Sequence, residues 1–161
     1  MSLEIVKKYF VDNGLEDRVY VFDISTATVE LAAKAVGCTN AEIAKTLSFV
    51  TAEGPMVIVM AGDVKVDNRK YKDTFNNQKA KMLTYEETES VIGHAVGGVC
   101  PFCLNAGVRV YLDNSLKRFG HVHPACGSSN SAIKLTPEEV EKHSSNFVGW
   151  IDVTKPMEEN I

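Results

Sequence analysis

Two features of the chain have the residue types and spacing for chemistry. Gly97-Gly98-Val99-Cys100-Pro101-Phe102 sets adjacent glycines ahead of a proline. Such glycines let a ligand approach the backbone, and consecutive N–H groups can hold a carbonyl or an oxyanion. The same residues also suit a tight turn with no ligand. Lys45, in Ile43-Ala44-Lys45-Thr46-Leu47, sits among apolar neighbours. There a compact, strongly hydrated cation can anchor phosphate or polarise a carbonyl, although a solvated surface lysine fits the same letters. Cys100 and Cys103, two apart, join His121, His123 and Cys126 as five thiol and imidazole groups. They leave three readings open: small residues supporting a pocket, a zinc site, or a thiol redox pair.

The elements that must position these groups follow from periodicity and caps. Apolar residues at helical spacing predict a helix over residues 2–13, and Thr28 and Gly37 bracket a second over 29–36. A short helix is expected over 41–44, then a hairpin of strands 45–50 and 56–61. Residues 67–75 read as a polar helix, 80–83 as a short strand, and Thr84 with Glu87 as a capping box opening a helix that ends at Gly93. Residues 93–107 form a long specialised loop, and such loops carry function more often than cores do. Strands are expected at 19–23, 108–112, 121–123, 132–135 and 147–153, and Thr136-Pro137 opens a helix. The order implies an α+β domain with several antiparallel pairings.

Composition sets the outer bounds. A chain of 161 residues, 45% hydrophobic and 24% charged, suits one globular domain spanning 1–161. No apolar run is long enough to span a bilayer, and four unevenly placed cysteines do not make a secreted disulfide framework, so the expectation is a cytoplasmic protein with no membrane partner. A net charge of −4 excludes coating of nucleic acid by bulk positive charge. One stretch runs against that balance: Lys65, Arg69, Lys70, Lys72, Lys79 and Lys81 face only Asp67 and Asp73. It is a candidate phosphate-contacting patch, with Lys65, Arg69 and Lys70 foremost, or else a solvated face.

The segments Thr28 to Ala33, Ile43 to Leu47, Val57 to Asp63, Gly93, Gly97 to Phe102, Val110 to Asp113 and Gly127 occur in an order that resembles the YbaK and prolyl-tRNA synthetase-associated family of aminoacyl-tRNA editing domains. The resemblance covers nearly the whole chain. It implies a mixed, largely antiparallel, partly closed β-sheet flanked by helices, and hydrolysis of the ester joining a small amino acid such as Cys or Ala to tRNA-Pro. Lys45 then matches the family's essential lysine, with Gly97 and Gly98 beside it as catalytic residues. Phe22, Thr28, Cys100, Pro101, Phe102, Asp113, Gly127 and Ser128 fall at the substrate. The partner implied is the acceptor end of a mischarged tRNA, with an aminoacyl-tRNA synthetase as a second candidate; no cofactor and no metal are implied. Departures lie at Cys100, where the family's usual residue is serine, and at Cys103, where it is glycine. A tyrosine that some members place in the early strand has no unambiguous match among Tyr20, Val21 and Phe22. These departures bear on which amino acid fits.

Overall fold

The computed structural model describes residues 2–157. Helix α1, Ser2–Asp12, buries Val6 and Phe10 against the main core. Strand β1 is Val19–Val21, and α2, Val29–Val36, starts where the Thr28 hydroxyl accepts the Leu31 N–H and stops at left-handed Gly37. The hairpin follows as β2, Ile43–Thr51, and β3, Gly54–Ala61. Then come β4, Val64–Val66; α3, Asn68–Thr74; α4, Tyr85–Ile92; and β5, Arg109–Asp113. The chain continues through β6, His123–Pro124; β7, Ser131–Ile133; α5, Pro137–His143; β8, Phe147–Ile151; and β9, Thr154–Pro156.

The main sheet has the order β6-β2-β3-β5-β8. Strand β3 lies at its centre, and Met56 to Ala61 are fully buried, which is why this stretch reads as an unbroken apolar run and not as an alternation. The class is α+β with a mixed sheet. Its antiparallel share resides in the β2/β3 hairpin and in two ribbons, β1/β7 and β4/β9, whereas β6, β5 and β8 join the main sheet in parallel. A bridge between Val122 and Leu135 carries the β6 edge toward the β1/β7 ribbon, so the sheet wraps on itself without closing.

Three local expectations change. Residues 41–44 are not a helix: a Thr39/Glu42 capping box closes one 3-10 turn over Asn40–Glu42, and Ile43 and Ala44 pair with His123 and Pro124. Residues 80–83 make only a single bridge, Met82 to Phe49, because this short segment returns directly to a helix start. The terminal strand breaks at Asp152 and Val153, and β9 leaves the main sheet to pair with β4. Among the described residues no helix is long and apolar enough to cross a membrane.

Candidate functional site

Strand β2 carries one side of a cleft of about 490 Å³. The start of α2 contributes Thr28, Val29 and Ala32, and the glycine loop contributes Val96, Gly97 and Val99. The segment into α4 adds Met82, Leu83 and Tyr85, while His123, Ala125 and Ser131 come from the β6–β7 region. The lining is mostly aliphatic with a few polar groups, the usual make-up of a small-ligand site.

Lys45 is the cleft's ammonium group. It is half-buried, donates to the Val64 carbonyl, and lies 3.9 Å from the Met157 sulfur. Burial pushes its pKa down, while the carboxylates of Asp63 and Glu30 pull it back up. Asp63 is itself held by a two-pronged pair with Arg118, at 3.0 and 2.5 Å. The turn before it is fixed by Gly62, since a Cβ there would collide with the Asn40 carbonyl. Lysine, counter-charge and carbonyl are therefore positioned by the β3–β4 turn, a feature carried by Ala61-Gly62-Asp63.

The glycines divide in role. Gly97, at φ 95°, lines the cleft. Gly98 does not offer a free N–H, because it donates to the Ala95 carbonyl at 3.0 Å, so the two glycines do not make a pair of donors and only Gly97 lines the cleft. What Gly98 supplies is closeness: a Cβ would lie 2.5 Å from the Ser128 nitrogen. Gly127, at φ 91°, packs likewise against the Ser2 backbone. The two loops meet through their glycines, and Ser128 sits 2.7 Å from Ser131 Oγ, which edges the cleft.

Several expected substrate contacts sit behind the cleft and not in it. Cys100 is fully buried, 3.4 Å from His94 Nε2, and burial pushes its thiol up to about 12. Pro101 takes the Ser145 N–H on its carbonyl, and Phe102 packs edge-on against Phe10 at 4.9 Å. Phe22 pairs with Asn130 and stacks on Tyr20. Asp113 is wholly buried; its carboxylate accepts the Ser115 and Val153 N–H groups and the Thr154 hydroxyl, so both oxygens are engaged by the protein's own chain. Lys70 reaches Asp152 and the Thr154 carbonyl and thus ties α3 to the β9 segment, leaving Lys65 and Arg69 as the exposed members of the trio.

Burial raises the Cys100, Cys103 and Cys126 thiols, the reverse of what a nucleophilic or redox thiolate needs. His121 is exposed and His123 turns to the cleft. Among the described residues no three His, Cys, Asp or Glu side chains gather around a metal-sized site. Cys103 has a positive φ of 55°, a conformation that costs a β-carbon-bearing residue about 1–2 kcal/mol. That backbone explains why glycine suits the position. Cys103→Gly is expected to raise stability by about 0.5–1 kcal/mol after the entropy of the added glycine is subtracted. A thermal melt should show a rise of about 1–4 °C; a lower melting temperature would show that the thiol's packing outweighs the strain.

Two polar groups of the cleft wall were not among the expected substrate contacts. His123 is 8% exposed, its Nδ1 has no partner among the described residues, and burial lowers its pKa, leaving a neutral imidazole. Thr46 Oγ1 is likewise buried and unpartnered. The available signal for His123 was the His-Pro pair before Gly127; pairing of Ile43 with His123, which sets it beside β2, is a long-range event with no local trace.

A model of the aminoacyl-tRNA editing domain matches residues 24–143. The chain belongs to the aminoacyl-tRNA editing family. Relatives agree with this placement. The uncharacterised protein YwhH of Bacillus subtilis is 51% identical over 160 residues, covering 98% of this chain and 100% of that one. A candidate Cys-tRNA(Pro)/Cys-tRNA(Cys) deacylase of Enterococcus faecalis, EbsC, is 27% identical over 114 residues, 70% of each chain. The crystal structure of a candidate trans-editing enzyme for prolyl-tRNA synthetase superposes with a TM-score of 0.84 at 27% identity, covering 96% of this editing domain and 97% of that chain.

Proposed function

We propose that the chain is a cytoplasmic trans-editing deacylase, one unit over residues 1–161, that hydrolyses the ester of a mischarged tRNA, with Cys or Ala on tRNA-Pro as the substrate class. The observation that carries this reading is the Lys45 ammonium held within a largely aliphatic cleft of about 490 Å³. An aminoacyl ester is already activated, so its hydrolysis requires orientation, stabilisation of developing negative charge and a placed water more than a strong protein nucleophile. Lys45 supplies the charge, for the carbonyl or the terminal phosphate. The backbone at Gly97 approaches the aminoacyl group, and Thr28 offers a hydroxyl to it, with the buried, unpartnered His123 Nδ1 and Thr46 Oγ1 in the cleft wall behind. Ala32, Ala44 and Ala125 give a small side chain its apolar contacts. No cofactor enters this chemistry. Single-turnover deacylation against a panel of mischarged tRNAs tests the reading: the expected result is hydrolysis of Cys- or Ala-tRNA-Pro with Pro-tRNA-Pro spared, and no hydrolysis of any member would leave a binding module of the same fold.

The tRNA stem would approach over the β4/β9 ribbon. Lys65 and Lys155 stand directly opposite each other there, both exposed, one residue beyond the Val64 carbonyl that holds Lys45. Like charges facing across a ribbon repel, and a phosphate between them relieves the repulsion. Lys65→Glu with Arg69→Glu is expected to weaken tRNA affinity and to reduce the slope of log affinity against log salt by roughly one per lost phosphate contact. An unchanged slope in filter-binding titrations would return the ribbon to a merely solvated surface.

A further inference from the structure

Three exposed large apolar residues border the cleft: Tyr85, the most exposed of its kind among the described residues at 73%, Met82 at 53% and Val96 at 45%. An aromatic ring left this open beside a binding site calls for a ligand face, since folding gains nothing from it there. The backbone that carries the ring is also firmly placed. Leu83 donates to the Ser48 carbonyl, Val50 donates to the Lys81 carbonyl, and Met82 bridges to Phe49, so the segment is stitched to β2, the strand that carries Lys45. The Thr84/Glu87 capping box then fixes Tyr85 as the first residue of α4. A platform fixed before binding loses little conformational freedom on taking up its ligand.

Charge narrows the ligand. Glu86 and Glu87 follow Tyr85 and are exposed, which disfavours a phosphate at this spot, whereas Lys79 and Lys81 lie just before Met82. A neutral planar group over the ring, with its phosphate leading off toward the lysines, matches that order. Resting on the deacylase reading, the position is also where a base must fall: an ester held near Lys45 is joined directly to a ribose, and the base on that ribose lies one nucleoside further out.

We propose that Tyr85, flanked by Met82 and Val96, is the stacking platform for the unpaired terminal nucleobase of the aminoacylated strand. Stacking of this kind is sequence-tolerant and depends on the ring face and not on the phenol hydroxyl. The experiment compares wild type with Tyr85→Ala, Tyr85→Phe and Tyr85→Trp in two assays. The first is binding of an uncharged CCA-ended oligonucleotide and of the same strand with an abasic 3′ terminus. Wild type, Tyr85→Phe and Tyr85→Trp should prefer the intact terminus, and Tyr85→Ala should lose about five- to hundredfold in affinity for it while binding the abasic strand unchanged. The second is deacylation of mischarged tRNA, where Tyr85→Ala should raise KM by a similar factor with kcat held within about twofold.

Equal binding of intact and abasic strands by wild type overturns the platform whether or not deacylation occurs. So does a Tyr85→Phe variant as weak as Tyr85→Ala. Sedimentation showing that Tyr85→Ala converts a dimer to a monomer, with nucleotide affinity intact, would assign the rim to a second copy of the chain and overturn it too. Absence of deacylation by wild type, with the terminal base still discriminated, would instead remove the hydrolytic reading and keep the platform.

Discussion

Lys45→Ala should remain folded and lose about a hundred- to a thousandfold in deacylation rate, the usual cost of removing one preorganised charge-stabilising donor, about 2.7–4 kcal/mol. The side chain is half-buried at the cleft and contacts the Val64 carbonyl and Met157, not the centre of the core, so circular dichroism and melting temperature should change little. A pH profile adds a sign. Burial holds the Lys45 pKa below that of a free lysine, and the ammonium is the active form, so activity should fade on the alkaline side earlier than a solvent lysine would dictate. Asp63→Asn removes a carboxylate that favours the ammonium, so the alkaline limb should move to lower pH still. Wild-type turnover by folded Lys45→Ala would remove the lysine from the mechanism.

Asp113→Ala should cost at least about 3 kcal/mol of stability, because three donors, two backbone N–H groups and a hydroxyl, lose a buried acceptor at once, each at about 1–3 kcal/mol. Thermal and denaturant melts read this directly, and the KM of surviving folded protein should be close to wild type. The opposite pattern, unchanged stability with a raised KM, would place Asp113 at the substrate after all. The anchoring has a consequence for the site: Asp113 holds Val153 and Thr154, which start β9, and β9 pairs with the strand whose Val64 carbonyl receives Lys45. A strand-end carboxylate thus acts on the cleft through the backbone alone.

These residues show what the sequence disclosed and what it withheld. Caps and periodicity speak locally, which is why α2 between Thr28 and Gly37, and α4 after Thr84/Glu87, have the expected limits. Lys45 and Gly97 were legible because two separated motifs point to one chemistry, and they meet at the cleft. The β4/β9 ribbon was not legible: three-residue strands joined across about ninety intervening residues leave no periodic trace. Motif matching also fails to distinguish a residue that touches substrate from one that shapes the site behind it. Cys100, Pro101 and Phe102 share a segment with Gly97, yet the chain turns inward after Val99 and buries them. His123 went the other way, from a candidate metal ligand on a short strand to an unpaired imidazole in the cleft wall.

On the proposed function, the aminoacyl end binds between β2, the start of α2 and the Gly97 loop. The most direct measurement is a backbone amide chemical-shift titration with a non-hydrolysable 3′-amide analogue of cysteinyl- or alanyl-adenosine. The predicted result is saturable shifts concentrated at Thr28, Lys45, Thr46, Gly97 and His123, with Asp113 and Phe102 still. Saturable shifts centred elsewhere, with β2 and the Gly97 loop unmoved, would contradict it.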